Sequence, residues 1–285
     1  MTERHEEAPG GQRVWFITGT SSGFGRELTR AVIAHGDRVV ATARDVAAIA
    51  DLTALAPARV KAVRLDVTGA ESIRDAVAEA ERAFGRIDVL VNNAGSGLLG
   101  AFEELSESAL RHNFETNVFG AMAVTRAVLP LLRRQRSGHI VQMSSVIGVI
   151  AGAGGTAYAG TKFALEGMSA ALAAEVAHLG IRVTIVEPGP FRTDFSGRSL
   201  RWGAPMEDYA ELMAPARKAL EASHGDQSGD PYRGAEAIIA AVGLEDPPLR
   251  LPLGAEAFTW IRAHFQARLA ELDAVEAIGA DTAFR

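Results

Sequence analysis

Apolar residues in this chain follow two rhythms, and the switching between them predicts the architecture. Short, nearly continuous apolar runs bounded by glycine or polar residues look like strands covered on both faces. Such runs lie at 14–18 (VWFIT), 38–43 (RVVATA), 89–91, 138–144 (GHIVQMS) and 182–187 (RVTIVE), and 60–65 (VKAVRL) alternates as a further strand. A further run at 249–253 (LRLPL) suits an edge, because Pro252 cannot donate to a central ladder. Between them the spacing turns helical at 26–35, 46–52, 71–84, 106–134 with Ser106 as N-cap, 156–179, 234–242 and 255–278. Strands alternating with helices predict an α/β, doubly wound, mostly parallel seven-stranded sheet with helices on both faces.

Two places break the rhythm. Asn117 sits inside the 106–134 helix, where its side chain competes for backbone hydrogen bonds, and this predicts a local kink. From 190 to 230 regularity fades around one helix, which predicts a substrate lid, since long irregular segments inside a compact domain usually serve a site. Aromatic and large apolar residues in it, Phe191, Phe195, Trp202, Met206 and Tyr209, point to a fairly hydrophobic small-molecule ligand.

Composition narrows the partners. The polar, acidic stretch 1–11 lacks the features of a secretory signal and is expected to be a flexible tail, leaving 12–285 as a single domain. A net charge of -6 disfavours nucleic acid as a partner, and no apolar run approaches the ~20 residues of a membrane span, so no membrane association is expected. The absence of cysteine excludes disulfides, thiolate metal sites and a cysteine nucleophile, and fits a cytoplasmic protein. His112, His139, His178 and the other histidines lack metal-site spacing, so no metal is expected.

The chemistry gathers at predicted strand ends. The first strand runs into TGTSSGFG, 18–25, where Gly19, Gly23 and Gly25 allow a tight turn and close approach of a pyrophosphate to the start of a helix. Arg44 follows the second strand, where an arginine accommodates a 2′-phosphate, whereas Asp45 suits an N-cap. Asp66 after the third strand can meet an adenine amino group or cap the next helix. Asn92, Asn93, Ala94 and Gly95 after the fourth can contact a cofactor ribose or lock a turn. Tyr158 and Lys162, four apart, share one helix face, where a cation beside the phenol would lower its pKa toward a working range.

These motifs, with Ser145 thirteen residues before Tyr158, YAGTK at 158–162 and PGPFRT at 188–193, resemble the short-chain dehydrogenase/reductase family in its single-domain branch, most closely the group related to 17β-hydroxysteroid dehydrogenases. The resemblance spans 14–253 and implies a Rossmann-like fold and an oxidoreductase interconverting a secondary alcohol and a ketone or aldehyde with NADP(H), NAD(H) being the alternative. It implies that Tyr158 is the general acid/base, Lys162 its pKa-lowering partner on the nicotinamide ribose, Ser145 the polarising hydroxyl and Asn117 the anchor of a proton-relay water. Gly19, Thr20, Ser22, Gly23, Phe24 and Gly25 would hold the pyrophosphate, Asp66 and Val67 adenine, Asn93 and Ala94 the adenosine ribose and Thr193 the nicotinamide carboxamide, with Gly95, Pro188 and Gly189 as further cofactor-binding residues. Ser22 stands where many NADP users have a basic residue. A non-catalytic cofactor-sensing protein is the rival reading, opposed by the presence of Tyr158, Lys162 and Ser145. The 106–134 and 156–179 helices, with Ala164, Gly167, Ala170, Ala171, Ala173 and Ala174, are expected to pair in a homodimer or homotetramer.

Overall fold

Both faces of the first strand are dry: Val14, Trp15, Phe16 and Ile17 are all inaccessible to solvent, with Trp15 and Ile17 in one core layer and Val14 and Phe16 in the other. That is why its sequence is continuously apolar rather than alternating. The protein, seen in a computed structural model that describes residues 12–284, is built outward from this strand. The tail expected over 1–11 lies outside the described residues.

The described chain runs β1 (Val14–Ile17), α1 (Gly23–Ala34), β2 (Arg38–Ala43), α2 (Ala50–Leu55), β3 (Val60–Arg64), α3 (Ala70–Phe84), β4 (Val89–Asn92), β5 (Gly97–Leu99), α4 (Glu107–Phe114), α5 (Ala121–Gln135), β6 (Gly138–Met143), α6 (Thr156–Val176), β7 (Ile181–Pro188), β8 (Leu200–Trp202), α7 (Ala210–Ala222), α8 (Pro231–Val242), β9 (Arg250–Leu253) and α9 (Ala255–Gly279). Seven strands form one sheet in the order β3-β2-β1-β4-β6-β7-β9, and every pairing in it is parallel. β9 is the edge, paired only with β7, where Pro252 opposite Glu187 has no second strand to which it would have to donate. Side chains of α1, α2 and α8 cover one face, and those of α3, α5 and α6 the other. The chain winds from β1 out to β3 and returns to β4 on the opposite side of β1, so the carboxyl ends of β1 and β4 splay apart at the switch point where ligands of such sheets bind.

Most boundaries follow the apolar rhythm, with instructive departures. The expected 106–134 helix is interrupted by a π-type turn over Glu115–Gly120 that carries Asn117, between α4, capped by Ser106 Oγ on Ala109 N at 3.2 Å, and α5. The expected 156–179 helix is α-helical only to Val176 and ends in a tighter turn. α8 starts at Pro231 rather than 234, because Asp230 accepts from Tyr232 N and fixes the first turn. Within 190–230, a pairing no periodicity announced joins three-residue β5 to three-residue β8 in parallel.

His139 in β6 shows the cost of this dry interior. It is 6% exposed, its Nε2 lies 2.9 Å from Thr184 Oγ1, and burial pushes its pKa down from 6.5 to about 4, with Arg13 and Arg182 adding to the shift. The unfolded imidazole takes a proton more readily than the folded one, so its contribution is fully present above pH 6.5 and is lost as pH falls toward 4. Over that interval the native chain is expected to lose about 3 kcal/mol more stability than a His139→Gln variant, as measured by denaturant unfolding at several pH values.

Candidate active site

The turn after β1 is shaped by ties rather than by freedom. Gly19 and Gly23 adopt φ of 70° and 55°, the left-handed region that favours glycine. At Gly25 a Cβ would collide with Asn93 Nδ2 and the Gly19 carbonyl. Asn93 Nδ2 donates to the carbonyls of Thr18 and Gly19, both at 2.9 Å, while Thr18 Oγ1 accepts from the backbone N–H groups of Asn93 and Ala94. Thr20, fully buried, donates through Oγ1 to Thr42 O at 3.1 Å. Thus the end of β4 and the end of β2 hold the turn on both sides. The N-cap of α1, Ser22, makes no side-chain hydrogen bond, and the first helical turn carries no acidic residue. Uncapped amides at the start of a twelve-residue helix, reached through glycines at 19 and 23 that carry no side chain, fit a pyrophosphate.

The remaining cofactor candidates divide between shaping the cradle and lining it. Asn93 holds the turn instead of extending away from β4, Ala94 packs against Gly19, and Gly95 abuts the Asn117 amide oxygen. Phe24 turns away from the turn and packs on Phe191, ring centroids 4.8 Å apart, beside α8. Val67 is buried against Gly120 of the π-type turn. Asp66 does not cap α3, whose N-cap is Gly69; its Oδ1 accepts from Thr68 N and Oγ1, and those bonds, with Arg44 nearby, hold its carboxyl below the usual range. Asp45 accepts from Ala47 N as an N-cap, and Arg44 is exposed beyond the end of β2. Pro188 closes β7, Gly189 donates to Leu253 O, and Thr193 stands against Gly23 with its Oγ1 accepting from Phe195 N.

Across the rim, β6 ends in two serines that face opposite ways. Ser145, extended, accepts from Ile147 N and lies beside the Tyr158 phenol, whereas buried Ser144 lies against Glu166. Tyr158 and Lys162, on the first turns of α6, are 9% and 7% exposed. Lys162 Nζ donates to Met143 O at 2.6 Å and sits 5.7 Å from the Tyr158 ring centroid. Here the electrostatics depart from the sequence expectation. Burial pushes the phenol up to about 12, with Ser145 opposing the shift, and brings the lysine down to about 8, with Glu166 opposing it. The ammonium is spent on a carbonyl and a carboxylate, and loss of water governs the phenol instead.

Sequence reasoning missed the groups beneath. Glu166, one turn beyond Lys162 and 7% exposed, meets Arg250 Nε at 3.1 Å, and Arg250 also reaches Glu187, which is 1% exposed, at 3.5 Å. Burial raises both carboxyls, Glu187 to about 7 with Glu166 adding to its shift. The i, i+4 step from Lys162 to Glu166 was the available signal. Asn117 binds Ser96 on both sides, accepting from its N–H at 2.9 Å and donating to its carbonyl at 2.8 Å, and also donates to Thr161 Oγ1 at 3.1 Å, so the π-type turn is clamped to α6 and to the chain after β4. Above the rim the Phe195 ring lies 5.3 Å from that of Tyr158. Phe195 alone of the five expected lid side chains makes a ring contact with Tyr158; Phe191 packs inward on Phe24, Trp202 stacks under Arg217 and Tyr209 hydrogen-bonds Glu103.

The chain matches known proteins over most of its length. A family model described as short chain dehydrogenase matches residues 13–203. The oxidoreductase BOA17 of Botryotinia fuckeliana is 39% identical over 246 residues, covering 86% of this chain and 90% of that protein. A short-chain dehydrogenase from Streptomyces avermitilis superposes with a TM-score of 0.91 at 44% identity, covering 96% of this chain and 100% of that one. An alcohol dehydrogenase from Thermococcus sibiricus, solved with 5-hydroxy-NADP, superposes with a TM-score of 0.70 at 26% identity, covering 85% of this chain and 94% of that one.

Gly25→Ala is expected to cost about 1–3 kcal/mol, because the tie from Asn93 must shift to admit the methyl group. The measurements are thermal or denaturant unfolding together with dinucleotide binding by tryptophan quenching, and both are expected to weaken.

Proposed function

The chain belongs to the short-chain dehydrogenase/reductase family of oxidoreductases, and on that premise we propose that it interconverts a secondary alcohol and a ketone or aldehyde, with NADP(H) as cofactor. The observation that carries this reading is the convergence of Ser145 and Tyr158 over a buried lysine, on the rim that also bears a glycine turn with no room for a Cβ at Gly25. When bound, the nicotinamide supplies or accepts two electrons as hydride.

The chain's own groups manage position and one proton. With its pKa pushed up to about 12, Tyr158 keeps its proton at neutral pH and can donate it to a carbonyl oxygen in the reductive direction. Ser145, beside the phenol, gives that oxygen a second donor where negative charge develops. Lys162, with a pKa of about 8, is mostly charged at neutral pH, and its ammonium, 5.7 Å from the ring centroid, would favour the phenolate left when the Tyr158 proton passes to the substrate oxygen. The π-type turn holding Asn117 keeps α6 in register with the end of β4. The pyrophosphate would lie on the amides from Gly19 to Gly25, with Asp66 and Val67 toward adenine.

Arg44 supports the choice of NADP(H): it is exposed just past β2, while Asp45, the acidic residue that would favour an unphosphorylated ribose, is occupied as an N-cap. The segment 190–230 acts as lid, with Phe195 against Tyr158 favouring a fairly hydrophobic substrate. Self-association of the α5 and α6 region is supported by exposed Phe119, Phe163 and Met168, beside Gly167, Ala171 and Ala174, which also face outward, whereas Ala164, Ala170 and Ala173 are half-buried.

Tyr158→Phe is expected to lower kcat by about 10²–10⁴ while dinucleotide affinity stays unchanged, measured by cofactor oxidation across a panel of ketones and aldehydes. Unchanged turnover would refute the role given to the phenol. Arg44→Ala is expected to weaken NADPH binding by about tenfold or more and leave NADH binding unaltered, read by titration calorimetry. Equal effects on the two cofactors would remove the argument for NADP(H).

A further inference from the structure

The last helix carries an apolar face that, beyond its first turns, is left uncovered. In α9 the one buried residue is Ala257, and from Phe265 to Phe284 every described residue is exposed. Yet the helix carries Phe258 at 51%, Phe265 at 53%, Leu269 at 61%, Leu272 at 63% and Val275 at 51% exposure. On a helix these positions, with half-buried Ile261, fall within about a third of the circumference, an apolar stripe interrupted only by Arg268 and, near its end, Glu276. A helical end of this length without cover is marginal in water, because most helical stability in proteins comes from packing an apolar face.

The charges beside the stripe say what covers it. Arg262 lies on the same flank as Asp273, three turns further on, with Glu276 at the adjoining margin of the stripe a turn beyond, and none of these three makes an ion pair within the described residues. Arg268 is paired with Glu271 at 2.8 Å near the middle of the helix. Beyond Glu256, which accepts from Ser228 in the first turn, charge therefore runs from basic to acidic along α9. A second copy laid parallel would set like on like. Laid antiparallel, with Phe265 facing Leu272 of the second copy, it sets Arg262 against the acidic pair and brings Leu269 next to the two-fold axis. The acidic far half also disfavours an anionic lipid surface as the occupant.

We propose that α9 is a self-association surface, on which two copies of this chain pair antiparallel across a two-fold axis through the region of Leu269. The face is distinct from that of α5 and α6, so use of both makes a tetramer, and the proposal does not depend on the catalytic reading.

Because the chain contains no cysteine, one introduced thiol reports the register. Leu269→Cys is expected to give covalent dimers with a short bismaleimide, while Ala263→Cys on the opposite side of the helix gives few. The double variant Leu269→Glu with Leu272→Glu is expected to halve the native mass in light scattering, with circular dichroism showing the body folded, since nothing is packed beneath these positions. Arg262→Glu is expected to weaken association, and adding Asp273→Arg and Glu276→Arg to it to restore association. A monomeric native chain, a mass unchanged in the double variant, or equal cross-linking at the two cysteine positions overturns the proposal. Loss of binding to phosphatidylcholine vesicles at unchanged mass overturns it in favour of a lipid occupant.

Discussion

A parallel sheet covered by helices on both faces has no room for polar chemistry except at the ends of its strands. Water is excluded from the whole of β1, and each polar side chain within the sheet must find a partner there or lose its charge, as His139 does. Parallel pairing then sends all seven carboxyl ends to one rim. The reversal of winding between β1 and β4 opens that rim at one place, and the glycine turn, the Asn93 tie, Ser145 and Tyr158 gather round it.

The same dryness sets the electrostatics of the site. An ammonium under the rim is stable only with partners, and Lys162 has the Met143 carbonyl and the Glu166 carboxylate. Glu166 in turn needs Arg250, which also serves Glu187, so the charge of one lysine is linked through buried carboxylates to an arginine at the sheet edge. The phenol has no such support beyond Ser145, and its proton is held tightly. Desolvation therefore outweighs the attraction between Lys162 and Tyr158 that their spacing suggests.

Irregular segments complete what the sheet begins. The three-residue pairing of β5 with β8 brings the chain after β7 back over the strand ends, and Thr193 and Phe195 arrive against Gly23 and Tyr158 as a result. At the other margin α9 is anchored at its start by buried Ala257, and its far half extends from the body with an exposed apolar stripe.

Much of this was determined by the sequence alone. Runs such as VWFIT and RVTIVE can only be strands dry on both sides, and their alternation with helical patterns leaves a doubly wound sheet with Pro252 at its edge. The glycines at 19, 23 and 25 and the pair Tyr158 and Lys162 were legible because each depends on local spacing. What the tertiary structure decided were choices among partners distant in the chain: that Asn93 ties down a turn some seventy residues earlier, that Phe24 and Phe191 pack on each other, that Asn117 clamps Ser96 and Thr161, and that Arg250 stands over Glu166. The direction of the Tyr158 shift belongs with these, since burial is a property of the assembled core and no spacing along one helix can encode it.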